Sequence, residues 1–225
     1  MEIFLDSGNL DEIKDNLSWC PLSGVTTNPT IIAKEGSIVF FEHLKRIKEM
    51  LKDTRILHVQ VIADDYDGII KDANAIMEVL GKETFIKIPA TKEGIRAINF
   101  LSSHGFNITA TAVYTTLQGA LCALAGAKYV AVYYNRIENT GGSANDVIFE
   151  LARIPEIASN KTKILAASFK NINQVISAFS NGAQACTLPN DILSKCIESL
   201  SVDKAVDDFR NDWKKVYGSK NIFEL

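Results

Sequence analysis

Eight times along this chain a short apolar run rich in β-branched residues is followed by a longer stretch with apolar side chains at helical spacing. The runs lie at 3–5, 24–26, 56–62, 84–89, 107–113, 129–134, 163–168 and 185–188. The helix-like stretches lie at 9–17, 40–52, 66–80, 92–104, 117–125, 145–154, 172–179 and 191–198. Most runs are almost continuously apolar rather than alternating, the mark of strands buried on both faces. Strict strand–helix alternation implies parallel strands joined by right-handed crossovers. Eight such units in 225 residues leave about 28 residues each, enough to close a compact (β/α)8 TIM barrel without large insertions. An open doubly wound sheet is the competing architecture, but it ordinarily uses fewer strands. No linker or composition shift divides the chain, so one domain over 1–225 is expected.

A ninth helical stretch, 202–217, follows the last unit and carries Ala205, Val206, Phe209, Trp213 and Val216 as an apolar stripe. That stripe predicts packing on the barrel or on a neighbouring subunit.

Composition narrows the function classes. A formal net charge of −3 provides no basic face for phosphate backbones, which argues against nucleic acid as a partner. Cys20, Cys122, Cys186 and Cys196 form no CxxC pair, and His43, His58 and His104 stand far apart, so no metal is expected. These thiols suggest a reducing, cytoplasmic setting, and the opening residues do not read as a secretory leader. The Asn-x-Ser/Thr triplets at Asn16, Asn107 and Asn160 therefore carry no weight. Residues 105–127 are uncharged throughout, but their Thr, Asn, Gln and Gly content is too polar for a membrane span. They read as a buried strand and a small-residue helix.

In such barrels the chemistry sits where strands end and loops to the next helix begin. The polar residues at those ends are Asp6, Thr26, Thr27, Asn28, Gln60, Lys87, Thr111, Tyr133, Arg136 and Ser168. Lys87 is the most informative, since its strand, Phe85-Ile86-Lys87-Ile88-Pro89, is otherwise apolar. A lysine there is either a snorkelling strand-end side chain or an amine nucleophile for a carbonyl substrate. At pH 7 a free lysine is neutral in only about one molecule in 2,500, and burial supplies the depression of about three units that such chemistry needs. Asp6 reads equally as a turn or N-cap residue and as a carboxylate aimed into the mouth. Thr26, Thr27 and Asn28 lead into Pro29 and fit ordinary cap and turn chemistry. Arg136 and Ser168 fit either surface pairing or a phosphate clamp. Alternation alone leaves Tyr133 and Tyr134 open as the inward-facing tyrosine.

The ordered set Phe4-Leu5-Asp6, Gly24-Val25-Thr26-Thr27-Asn28-Pro29, Ile86-Lys87-Ile88-Pro89, Thr111-Ala112-Val113, Tyr133-Tyr134-Asn135-Arg136 and Ala166-Ala167-Ser168-Phe169-Lys170 resembles the small transaldolase family, its fructose-6-phosphate aldolase branch above all. The resemblance spans the whole chain. It implies a (β/α)8 barrel and class I aldolase chemistry without a cofactor. The substrates would be sugar phosphates and ketols, and the assembly a pentamer or decamer. It also implies residue roles. Lys87 would be the Schiff-base nucleophile, with Asp6 and Asn28 contacting the lysine or substrate hydroxyls. Thr26 and Thr27 would belong to the strand-two motif. Gln60, Thr111 and Tyr133 (rather than Tyr134) would hold the water used in proton transfer, and Arg136 and Ser168 the substrate phosphate. Ordinary transaldolases carry a glutamate where Gln60 stands. An amide orients water without exchanging a proton near neutral pH. The resemblance therefore implies cleavage of fructose 6-phosphate into dihydroxyacetone and glyceraldehyde 3-phosphate, with transaldolase transfer as the alternative. From the barrel alone, a non-catalytic sugar-phosphate binder and an isomerase stay open.

Overall fold

The computed structural model describes residues 1–159 and 161–225; Asn160, in one of the triplets above, lies outside the described residues. Eight parallel strands close into a barrel in chain order, with the first strand paired to both the second and the eighth. They are β1 (Glu2–Asp6), β2 (Gly24–Thr26), β3 (Ile56–Gln60), β4 (Phe85–Pro89), β5 (Asn107–Val113), β6 (Tyr129–Tyr133), β7 (Lys163–Ala167) and β8 (Ala185–Leu188). The helices are α1 (Leu10–Trp19), α2 (Pro29–Ala33), α3 (Phe40–Leu51), α4 (Tyr66–Leu80), α5 (Lys92–Ser103), α6 (Thr116–Leu124), α7 (Tyr134–Asn139), α8 (Ala144–Leu151), α9 (Pro155–Ala158), α10 (Ile172–Ser180), α11 (Asn190–Lys195) and α12 (Leu200–Tyr217). The barrel and the order of its units are those the alternation implies. Helices α2, α7 and α9 were not foreseen. Each is under two turns long, too short for an apolar stripe to repeat.

The near-continuous apolar strands have a simple geometric origin. Successive side chains on a strand point to opposite faces. Leu5, Val25, Leu57, Val59, Ile86, Ile88, Ile108, Val130, Val132, Ile164 and Leu188 join the core between strands and helices. Phe4, Phe85, Tyr129, Ala131, Leu165 and Ala185 fill the barrel interior. His58 joins this inner plug, its ring stacked 4.8 Å from Phe85 and edge-on to Phe4 and Tyr129 at 5.0 and 5.3 Å. Burial, and then the nearby Lys87 charge, hold the His58 imidazole well below the ordinary histidine pKa. It stays neutral in that packing.

Two residues further along the same inward rows, apolar side chains give way to polar ones: Phe4 to Asp6, Phe85 to Lys87, Ala185 to Thr187. The barrel is thus an aromatic plug beneath a polar mouth. Side-chain caps start the helices that leave the mouth. Asn9 accepts from the Asp11 and Glu12 amides, and Asn28 accepts from the Ile31 amide with Pro29 in the first helical turn. Thr115 and Gln118 form a capping box on α6.

Residues 105–127 form β5 and α6, as expected. No helix among the described residues is long and apolar enough to cross a membrane. Helix α12 buries none of its residues within the single chain; Phe209 is 71% exposed and Val216 72%.

Candidate active site

The mouth of the barrel holds a small cavity of about 90 Å³ with Lys87 on its wall. Asp6, Asn28, Thr111, Tyr133, Arg136, Ser168 and Thr187 also line it, with Ala131, Leu165 and Ala167 completing the surface. Strand order explains the gathering, because residues from non-adjacent stretches of sequence share one ring once β1 closes on β8.

Lys87 is 5% exposed. It therefore does not snorkel to the surface: its Nζ donates to the Thr27 carbonyl oxygen at 2.7 Å. Burial holds its amine below the ordinary lysine value, and the Asp6 carboxylate pulls it part of the way back. Asp6 shows the converse. Burial raises its pKa, while Lys87, the Thr26 hydrogen bond and Lys34 lower it. The pair is thus a mutually dependent acid and base in a poorly solvated mouth. Asp6 does not cap α1, a role Asn9 takes. Instead its Oδ1 accepts from the Thr26 hydroxyl at 2.6 Å. Thr26 has one proton and gives it to Asp6, so the Thr187 hydroxyl, 2.6 Å away, donates to Thr26.

The three strand-two residues divide the work. Thr26, fully buried, orients Asp6. Thr27 turns its hydroxyl to the His58 carbonyl at 2.9 Å and offers its own carbonyl to Lys87. Asn28 caps α2 through its side-chain oxygen and also lines the cavity, so one side chain serves as both cap and cavity wall.

Across the mouth the Thr111 and Tyr133 hydroxyls lie 3.1 Å apart. The inward tyrosine is Tyr133. Tyr134 is 2% exposed outside the cavity, where its hydroxyl donates to Asn145 Oδ1 at 2.7 Å. Burial raises the Tyr133 pKa, against the Thr111 hydrogen bond and the Arg136 charge, which lower it. The phenol stays protonated at neutral pH and is a weak acid with a hydrogen-bonded partner. Arg136 is exposed at the rim with its guanidinium 4.8 Å over the Tyr133 ring. Ser168, next to it on the cavity wall, has a left-handed backbone (φ 64°). That conformation is disfavoured for a residue with a side chain, and such strain clusters at functional sites.

Gln60 stands apart from this ring. It sits in register beside Lys87 on the adjacent strand, but lines a neighbouring, mostly apolar pocket with Thr27, Asn28, Pro29, Ile32 and Phe40. Its Oε1 is buried with no hydrogen-bond partner among the described residues, an acceptor left open for a donor such as water. Sequence reasoning missed Thr187 and Tyr114. Thr187 is the one polar residue in β8 and faces inward beside Phe4, a signal that was available. Tyr114 lies just past β5 and accepts from Arg136 Nη1 at 3.5 Å. No local pattern points to that contact.

A closed parallel barrel with a dry lysine, a carboxylate and a phenol around its open end defines an α/β-barrel protein with a site suited to nucleophilic and acid–base work. The chain belongs to the transaldolase/fructose-6-phosphate aldolase family, whose pattern matches residues 3–220. A protein of Streptococcus pneumoniae (strain ATCC 700669 / Spain 23F-1) named "Probable fructose-6-phosphate aldolase" is 48% identical over 222 residues, covering 99% of this chain and 100% of that one. Among solved structures, inosine 5'-monophosphate dehydrogenase from Legionella pneumophila superposes with a TM-score of 0.60 at 14% identity, over 85% of this chain. The chain spans 58% of that longer one, and the likeness is one of fold.

Proposed function

We propose that this protein is a class I aldolase that cleaves and forms fructose 6-phosphate. The observation that carries the reading is Lys87: an amine inside the barrel, kept below its ordinary pKa by burial, beside Asp6. The neutral amine attacks the C2 ketone, and loss of water leaves an iminium ion that draws electrons from the C3–C4 bond. Asp6 acts as the base that takes the C4 hydroxyl proton as that bond breaks. Glyceraldehyde 3-phosphate leaves with its phosphate on Arg136 and Ser168. The remaining enamine takes a proton at C3 from water held by Tyr133 and Thr111, and Gln60 reaches that water only by turning its amide from the adjoining pocket, which shares Asn28 with the cavity. Hydrolysis then frees dihydroxyacetone and restores the amine.

Transaldolase transfer is the second reading, because the family description covers both activities. Gln60 favours cleavage, since an amide at that position orients water without supplying a proton. In this proposal the protein is cytoplasmic, acts on sugar phosphates and ketols without a cofactor, and assembles as a pentamer or decamer. The exposed stripe of α12 supports a subunit contact. The test is borohydride reduction in the presence of dihydroxyacetone followed by peptide mass mapping. The expected result is one reduced adduct on Lys87, and its absence removes the Schiff-base mechanism.

A further inference from the structure

Arg136 poses a physical problem for a phosphate-binding role. It is exposed at the rim, and a long side chain there loses considerable rotamer freedom when it engages a ligand. A carboxylate partner would fix it, but would also neutralise it and have to be displaced by each incoming phosphate. Among the described residues no carboxylate lies within ion-pair distance of Arg136. The nearby Glu138 is engaged by Gln174 Nε2 at 2.7 Å. What does hold the guanidinium is uncharged: the Tyr133 ring face at 4.8 Å and the Tyr114 phenol oxygen, which accepts from Nη1 at 3.5 Å.

Tyr114 is itself aimed. The β5–β6 register shifts between Ala110 and Val113, and Ala112 in that irregularity has φ 55°. Bulges of this kind at barrel rims redirect the side chains that follow. The Tyr114 amide is then anchored by donating to Gln118 Oε1 at 2.9 Å. Its ring packs edge-on against Tyr133, with centroids 5.8 Å apart.

We propose that Tyr114 is a positioning residue that holds the Arg136 guanidinium over the mouth as an un-neutralised cation, and so sets the enzyme's preference for phosphorylated aldehydes. The inference rests on the aldolase reading and on the phosphate role of Arg136 within it. The Tyr114 hydrogen bond favours the charged guanidinium, the largest influence on Arg136, as expected of a neutral acceptor that steadies a cation without cancelling it.

Tyr114→Phe isolates this effect, because phenylalanine keeps the ring contact with Tyr133 and removes only the hydroxyl. Aldol addition of dihydroxyacetone is to be measured with glyceraldehyde 3-phosphate and with glyceraldehyde, in wild type, Tyr114→Phe, Arg136→Ala and the double variant. Tyr114→Phe should raise KM for glyceraldehyde 3-phosphate about fivefold, the scale of one partly exposed hydrogen bond to a charged group. KM for glyceraldehyde and kcat with either acceptor should hold. Arg136→Ala should raise KM for the phosphorylated acceptor on the order of fiftyfold, with no further loss in the double variant. Wild-type kinetics for Tyr114→Phe, an equal change with both acceptors, or additive losses would overturn the proposal while leaving the phosphate role of Arg136 in place. If Arg136→Ala affects both acceptors alike, it is the phosphate assignment itself that fails.

Discussion

Asparagine at position 6 separates charge from shape at the centre of the site. The Thr26 hydroxyl still has an oxygen to donate to, so the Thr187–Thr26 chain persists and only the negative charge disappears. In the wild type, burial pulls the Lys87 pKa down and the Asp6 carboxylate pulls it back up. Removing the carboxylate leaves burial unopposed, so the lysine pKa must fall further. Opposite charges about 4–6 Å apart shift a pKa by about 1–3 units. Lys87 and Asp6 are not in ion-pair contact among the described residues, so the lower end applies: about one unit, or about 1.4 kcal/mol. At a pH below both values, the neutral fraction of the amine then rises about tenfold. Carbamylation by cyanate, which consumes only the neutral amine, reads this directly when the modification of Lys87 is followed by mass spectrometry across a pH series. The midpoint for Asp6→Asn should lie about one unit below that of wild type. Cleavage of fructose 6-phosphate should nonetheless slow by about 10²-fold or more, the usual loss when a positioned base is removed. A more available amine together with slower turnover would separate the electrostatic role of Asp6 from its proton-transfer role. A midpoint that stays put or moves upward would show that the carboxylate does not act on the lysine, and the account of the mouth as a coupled pair would be refuted.

Two further substitutions probe the neighbouring strands. Gln60→Glu replaces the unpartnered amide oxygen with a carboxyl that exchanges protons. The ratio of transfer to erythrose 4-phosphate over release of dihydroxyacetone should rise about tenfold, below the full contribution of a general acid–base group, and an unchanged product ratio would refute the role given to Gln60. Gly24→Ala places a methyl 1.9 Å from the Ile56 carbonyl oxygen and 2.8 Å from its carbon and nitrogen. Since these are backbone atoms of the paired strand, β2 and β3 must separate. A cost of about 3 kcal/mol should lower Tm by about 6–12 °C in a scanning calorimeter, and a melting point within about 2 °C of wild type would contradict the packing described.

The legible part of this protein is its local physics. The repeated switch between a short, almost continuous apolar run and a 3.6-residue apolar period was enough to imply eight strands, their parallel sense and closure into a barrel. Lys87 was conspicuous for the same reason, because a charge within an apolar strand run breaks the pattern that burial imposes on every other position there. Asp6, Tyr133, Arg136 and Ser168 could be placed at strand ends, but their partners could not. Which strand tips meet depends on the stagger with which the barrel closes, and that is a sum over all eight strand pairs rather than a property of any segment. Only the folded chain decided that Lys87 rests on the backbone carbonyl of Thr27, that Thr187 completes a relay to Asp6, and that Gln60 opens onto a separate pocket beside its register neighbour. The bulge in β5, which turns Tyr114 toward Arg136, has no sequence signature because alanine at position 112 gives no sign of a left-handed backbone. Periodicity encodes which face of an element is buried; it carries no information about how far one element slides past the next, and the chemistry of this mouth is set by that slide.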